Sequence, residues 1–359
     1  MAKHLSDEKF MRLALQLALN GRGSTKTNPL VGCVIVKNGK IIGKGFHKKF
    51  GGPHAEVFAL KGAGKSAKGA TLYCNLEPCL FYEGKKTPAC ADLLIKSGIS
   101  RIVIATTDPN PHISGKSISL LKKNGIRVTT GILQKDALSL NLPYFKFITT
   151  GKPYVFLKVA MSLDGRITHP SKKYFSSKPS LIFAHQLRSQ SDAILVGIGT
   201  VLKDDPSLTT RFVSGKNPLR IILDDKLQIP PNSKVLKDKN VLVVYGKKNH
   251  DANKLRLLEK SGYPVLSLNG KNGLLNLNSL LLELGKRNIG TLMIEGGSKV
   301  ISSFFSARLF DKCYFVIVPE IFGEGPRLLP DSRSEPKLKI SSISKSGADY
   351  LVEVTPVYG

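Results

Sequence analysis

Short apolar runs of strand character alternate with amphipathic helical segments along almost the whole chain, and that alternation leaves few folds open. The first half reads as strands at Val31–Val36 and Lys40–Gly45 around an Asn38-Gly39 turn, then a helix opening near His54. A strand at Thr71–Asn75, a helix near Ala89–Ser97, a strand at Arg101–Ala105, a helix near Lys116–Lys123 and a strand at Arg127–Thr130 follow. Strands separated by helices build a helix-covered sheet of α/β type. Turn residues at Thr149-Thr150-Gly151-Lys152-Pro153 interrupt the pattern. It restarts with a strand at Tyr154–Ala160, a helix near Ser180–Gln190 and strands at Ala193–Val196, Arg220–Leu223, Val241–Tyr245, Pro264–Leu268 and Thr291–Ile294. Helices at Ala252–Ser261, Ser279–Arg287 and Ser298–Ala307 intervene, and β segments at Cys313–Val318 and Tyr350–Thr355 close the chain. The expectation is two α/β domains, residues 1–149 and 150–359, with a separate site in each.

The N-terminal segment has acidic residues early and no apolar signal core, so it reads as a helix: Ser6 as N-cap, Asp7 and Glu8 in the first turn, Phe10, Leu13, Ala14, Leu17 and Ala18 on one face. No run approaches the roughly 18 apolar residues of a membrane span, which excludes an integral membrane protein. Five Cys in a chain of 359 residues form no disulfide framework and point to a reducing, cytoplasmic setting. The net charge of +28 invites a nucleic-acid partner, but the excess is shared almost evenly between the two halves. Spread in that way, it suits a phosphate-bearing small molecule as well as it suits RNA.

One constellation carries chemistry. His54-Ala55-Glu56 is followed by Pro78-Cys79 and, after ten intervening residues, by Cys90. One imidazole and two thiolates hold Zn²⁺ with a fourth position left for water, which then loses a proton near neutral pH. Glu56 sits two residues after the ligand His54 and can shuttle that proton to a leaving amine, the pattern of zinc-dependent deaminases. If His54 and Cys90 each open a helix, the helix N-termini favour thiolate over thiol. Cys33, Cys74 and Cys313 lie in apolar strand sequence and read as core residues, while His47 could face the zinc pocket. Taken singly, each of these side chains is more often structural than catalytic; their joint order makes the case.

These residues resemble a known family. Thr27-Asn28-Pro29-Leu30-Val31-Gly32, Gly51-Gly52-Pro53-His54-Ala55-Glu56, Leu76-Glu77-Pro78-Cys79 and Thr87-Pro88-Ala89-Cys90-Ala91-Asp92 are similar to the deaminase half of the bifunctional deaminase–reductase family of riboflavin biosynthesis. Val159-Ala160-Met161-Ser162-Leu163-Asp164-Gly165-Arg166, Gln190-Ser191-Asp192-Ala193-Ile194-Leu195-Val196-Gly197, Asp204-Asp205-Pro206 and Glu295-Gly296-Gly297 resemble its reductase half. The resemblance implies a cytidine-deaminase-like α/β/α domain followed by a dihydrofolate-reductase-like α/β domain. It implies zinc on His54, Cys79 and Cys90, Glu56 as proton donor, and Asn28 against the pyrimidine. In the reductase half it implies NADPH on Ala160, Tyr174, Thr200, Asp204, Gly297 and Ser298, with substrate on Lys158, Arg188, Leu208, Arg211 and Glu295. The substrate so implied is a phosphorylated pyrimidine, deaminated first and then reduced from ribosyl to ribityl. No nucleic-acid or membrane partner is expected, and the resemblance also implies a homo-oligomer.

Physical chemistry supports parts of this independently. Glu295-Gly296-Gly297-Ser298 joins a strand to a helix, where a glycine-rich turn receives phosphate well. Arg188 and Arg211 offer guanidinium forks for a phosphate. The chain departs from the family in carrying ten residues between its Cys ligands where eight are usual, with Leu80-Phe81 in place of a Ser-His pair. Lys85 or Lys86 is the expected substitute for that His as a phosphate contact. Tyr174 stands where a Trp is usual, and Asp224-Asp225 replaces an Asp-Ser pair. Competing readings are a deaminase with a degenerate reductase domain, a basic RNA or single-stranded DNA base deaminase, and a closed zinc-stabilised binding module.

Overall fold

The structure, a computed structural model, describes the chain apart from residues 1, 82–87, 170, 173, 249, 272–273, 330–336 and 359. It divides into two compact units, Met1–Gly151 and Lys152–Gly359. The first unit runs α1 (Ala2–Leu19), β1 (Gly32–Lys37), β2 (Lys40–Phe46), α2 (Ala55–Ala63), β3 (Thr71–Leu76), α3 (Cys90–Lys96), β4 (Arg101–Thr106), α4 (Lys116–Lys123), β5 (Arg127–Thr130), α5 (Gln134–Leu140) and α6 (Leu142–Thr150). Its sheet has the order β2-β1-β3-β4-β5, with β1 antiparallel to both neighbours and β3, β4 and β5 parallel.

Alternate side chains of a strand face opposite sides, and both faces of this sheet are covered. Val34, Val36, Tyr73, Val103 and Ala105 pack with Phe10, Met11 and Ala14 of α1 and Ala137 of α5. On the other side Cys33, Ile35, Leu72, Cys74, Ile102 and Ile104 pack against Ala55 and Ala59 of α2, Ala91 and Leu94 of α3, and Leu121 of α4. Cys33 and Cys74 are cross-strand partners in that layer, and burial pushes the Cys33 thiol up.

The first helix begins earlier than its sequence suggests. Ser6 lies inside α1 and not at its cap, and Asp7 does not serve the helix terminus. Its carboxylate accepts from Tyr73 Oη at 2.8 Å and from Arg101 Nη1 and Nη2 at 2.9 and 2.7 Å. A largely buried guanidinium needs a partner, and that demand claims Asp7. The sequence reading also missed α5 and α6, each about two turns long and separated only by Asn141.

The second unit contains β6 (Tyr154–Ser162), α7 (Lys178–Gln190), β7 (Ala193–Gly197), α8 (Ile198–Asp204), β8 (Leu219–Leu223), β9 (Val241–Gly246), α9 (Ala252–Lys260) and β10 (Val265–Leu268). A small ribbon of β11 (Gly270–Lys271) and β12 (Leu274–Leu275) precedes α10 (Leu277–Lys286), β13 (Thr291–Ile294), α11 (Ser298–Ser306), β14 (Lys312–Val318), β15 (Lys337–Ser346) and β16 (Asp349–Val357). The nine-stranded sheet has the order β10-β9-β8-β7-β13-β6-β14-β16-β15 and is parallel up to β14. Val155, Leu157 and Val159 of β6 enter one core, and Tyr154 and Phe156 enter the other. The sequence reading passed over α8, which follows β7 without a loop, and β15, whose residues are nearly all exposed and owe their strand form to pairing with β16.

Close backbone approach sets the packing of α1. A Cβ built on Gly32 would lie 1.9 Å from the Ala14 carbonyl oxygen and 2.8 Å from Ala18 N. Gly32→Ala should therefore cost about 2–3 kcal/mol of stability by overpacking, checked by denaturant unfolding of the variant against the parent chain.

Candidate functional site

The zinc constellation assembles on one face of the first sheet. His54 is the N-cap of α2 and Cys90 the first residue of α3, while Cys79 follows β3. His54 Nδ1 lies 3.3 Å from both Cys79 Sγ and Cys90 Sγ, and the three ligand atoms fall within 4.8 Å of one another. With Zn–N near 2.0–2.1 Å and Zn–S near 2.3 Å, the ligand separation at a tetrahedral centre is about 3.5 Å, so the donor set fits the ion. Among the described residues it is the one His/Cys/Asp/Glu group of this kind.

Glu56 is buried in the first turn of α2, and its Oε2 has no hydrogen-bond partner. Burial, with the Cys79 sulfur nearby, pushes its carboxyl up. Asn28 is held by His47: Asn28 Nδ2 lies 3.0 Å from His47 Nε2, and His47 Nδ1 lies 3.0 Å from the Pro53 carbonyl oxygen. The carbonyl requires a donor, so Nδ1 carries the hydrogen and Nε2 accepts from the Asn28 amide. That leaves Asn28 Oδ1 on the other side of the carbamoyl group. The expectation that His47 could face this pocket gains a task in the process.

Behind the ligands, Glu77 acts as a hub that sequence reasoning quoted without assigning. Its carboxylate accepts from Asp108 N at 3.2 Å, Gly115 N at 3.0 Å and Ser117 Oγ at 2.8 Å. Asp108 in turn accepts from Tyr144 Oη and Asn110 N. The readable signal was Asp108-Pro109-Asn110-Pro111, a turn-forming stretch directly after a strand. In the departure from the family, Leu80 packs into the core and Phe81 is exposed. Lys85 and Lys86 lie outside the described residues.

The second site is a cavity of about 560 Å³ at the carboxyl ends of β6, β7 and β13, where ligands bind in open parallel sheets. Of the residues expected there, Ala160, Tyr174, Thr200, Asp204, Gly297, Lys158, Arg188, Leu208, Arg211 and Glu295 all line it; Ser298 does not. A Cβ on Gly297 would meet only Thr200 Oγ1, at 3.7 Å. Bare backbone at this N-cap of α11 suits a phosphate of the dinucleotide.

Charge is concentrated at the inner end. Arg188 grips Glu295 Oε2 through Nε at 3.1 Å and through Nη2, and Lys158 Nζ lies 3.6 Å from Oε1, which has no hydrogen-bond partner. Burial alone would raise the Glu295 carboxyl, but Arg188 and Lys158 outweigh it and hold the group below its ordinary range. Asp164-Gly165 forms the turn after β6, with Gly165 at φ 74°. Its carboxylate also accepts from Ser162 Oγ at 2.5 Å and from Phe322 N and Gly323 N at 3.0 Å, which keeps it well below the usual carboxylate range.

Comparison with known proteins agrees with both halves. A family model for the cytidine and deoxycytidylate deaminase zinc-binding region matches residues 5–106, and one for the RibD C-terminal domain matches residues 153–352. The riboflavin biosynthesis protein RibD of Aquifex aeolicus is 46% identical over 324 residues, covering 89% of this chain and 88% of its own. This chain belongs to the RibD family. The RibD of Bacillus amyloliquefaciens is 39% identical over 364 residues, covering 98% and 97%. One crystal form of Acinetobacter baumannii RibD superposes with a TM-score of 0.88 at 34% identity, covering 99% of this chain and all of its own. A deaminase/reductase structure from Thermotoga maritima superposes at 0.85 with 36% identity and the same coverage. As a RibD-family enzyme the protein is a bifunctional deaminase and reductase of riboflavin biosynthesis, with zinc in the first unit and NADPH in the second. Among the described residues no helix is long and apolar enough to cross a membrane.

His185 on α7 lines the second cavity and was passed over in the sequence, though it lies one helical turn before Arg188. It is 3% exposed, and burial, with Arg188, Arg211 and Lys158 around it, lowers its imidazole to about 4 despite Glu295. The unfolded chain therefore binds the extra proton between about pH 4 and 6.5 while the folded chain does not. Stability of the second unit should fall as the pH drops through that window. Urea unfolding across it should show a shallower loss for His185→Asn than for the parent chain.

Proposed function

We propose that the first unit, residues 1–149, hydrolyses an amino group from a diaminohydroxyphosphoribosylaminopyrimidine, and that the second, residues 150–359, reduces the ribosyl group of the product to ribityl. The observation that carries the reading is the His54, Cys79 and Cys90 triangle with the unpartnered Oε2 of Glu56 beside it. The Thermotoga maritima structure is named for these two activities, a diaminohydroxyphosphoribosylaminopyrimidine deaminase and a 5-amino-6-(5-phosphoribosylamino)uracil reductase.

In this reading His54, Cys79 and Cys90 hold zinc, which supplies a water acidified to near neutrality. With zinc bound, Glu56 would take a proton from the attacking water and return it to the nitrogen that leaves as ammonia. Its burial suits that task, because a raised carboxyl holds the proton between the two transfers. Asn28, with its amide turned by His47, presents Oδ1 to a ring N–H of the pyrimidine.

Ala160, Tyr174, Thr200, Asp204 and Gly297 of the second cavity, with Ser298 beside Gly297 at the start of α11, would hold NADPH, which would supply a hydride. Arg188 and Arg211 face the substrate phosphate, Leu208 packs beside it, and Lys158 and Glu295 face the ribosyl hydroxyls. Glu295 Oε1, which faces Lys158 at 3.6 Å and accepts no hydrogen bond, is an acceptor for one of them. A degenerate reductase is disfavoured by the gathering of ten of the eleven expected side chains in one cavity. A nucleic-acid base deaminase leaves that cavity without a task. Five buried cysteines, none of them in a disulfide, suit a reducing cytoplasm.

Zinc-loaded protein given the pyrimidine substrate without NADPH should exchange an amine for oxygen, and adding NADPH should then add two hydrogens to the product mass. Glu56→Gln should lower the deamination rate by about 10²–10⁴-fold with zinc content unchanged, while reduction of the deaminated substrate proceeds at the parent rate. Amine exchange at the parent rate in Glu56→Gln would remove Glu56 from the mechanism.

A further inference from the structure

Three features near Arg211 are not used by the chemistry above. The segment after α8 is strained, with Asp205 at φ 39° and the buried Leu208 at φ 52°, conformations that non-glycine residues seldom adopt. Two residues of one face of α7 hold it there: Arg188 Nη1 donates to the Thr209 carbonyl oxygen at 3.2 Å, and His185 Nδ1 accepts from Arg211 N at 2.9 Å. The His185 ring also meets the Phe212 ring edge-on at 4.6 Å.

We infer that His185 is a positioning residue of the reductase, a neutral acceptor on α7 that fixes the backbone of Arg211 and so aims its guanidinium at the substrate phosphate. The inference rests on the reading of Arg211 as a substrate contact. An acceptor at Nδ1 places the ring hydrogen on Nε2. Burial, with the neighbouring cations Arg188, Arg211 and Lys158, keeps the imidazole in that form despite Glu295, and a proton on Nδ1 would abolish the bond to Arg211 N. The side chain at 185 must therefore accept without being charged, and must reach as far as Nδ1 does. Asn meets both conditions, since its Oδ1 occupies nearly the same place; Leu fills the space and accepts nothing.

The test is steady-state kinetics of the reductase reaction on full-length zinc-loaded protein, with the deaminated phosphoribosylaminouracil and NADPH varied in turn. His185→Leu leaves the Arg211 N–H unpaired and should raise KM for the pyrimidine about tenfold, with KM for NADPH unchanged as the sign that the unit is folded. His185→Asn should stay within about twofold of the parent. Equal damage from Asn and Leu, or none from Leu, overturns the inference. Arg211→Ala separates this from the reading beneath it. If Arg211→Ala raises the pyrimidine KM while His185→Leu does not, only the positioning role falls. If Arg211→Ala is without effect, the assignment of Arg211 to the substrate falls, and the role of His185 falls with it.

Discussion

Parallel strands cannot be joined by a tight turn. Each needs a crossover that returns the chain to the starting edge, and in both units most of these crossovers carry a helix. The consequence is geometric: strand carboxyl ends and the following helix starts gather on one edge. Cys79 follows β3, Glu295 follows β13, and α8 follows β7 with no loop between. Both sites are built from this edge, so the chemistry depends on the parallel core beneath it.

The sites solve opposite electrostatic problems. In the deaminase unit two thiols and a buried carboxyl crowd one imidazole, an arrangement that divalent zinc stabilises by supplying positive charge. In the reductase unit Lys158 and Arg188 both reach the Glu295 carboxylate, and Arg211 lines the same cavity. Burial, with Arg188, Arg211 and Lys158 around it, keeps His185 neutral there despite Glu295. An excess of positive charge suits a phosphorylated substrate, and here the basic composition of the chain acquires a local meaning.

Much of this was readable in advance, for stated reasons. His54, Cys79 and Cys90 are legible because a zinc site needs particular residue types whose order survives any loop length, and Glu56 is legible from its place two residues after His54. Most strands were placed to within a residue or two, since a strand buried on both faces has to be a short apolar run. Ser6 as a helix cap was wrong because Asp7 answers to Arg101, which lies 94 residues away. The helices α5 and α6 were missed because two-turn segments show little periodicity, and β15 was missed because its residues bury almost nothing.

The residue types that bind zinc, the alternation of strand and helix, and the division into two halves belong to the sequence alone, because metal preference and hydrophobic period are local properties. Which side chains support those at the centre was decided only by tertiary structure. His47 turns Asn28 from 19 residues away, Glu77 holds a loop some 40 residues further on, and His185 secures Arg211 from another element. A hydrogen-bond partner is chosen by distance in space, and the chain must fold before that distance exists.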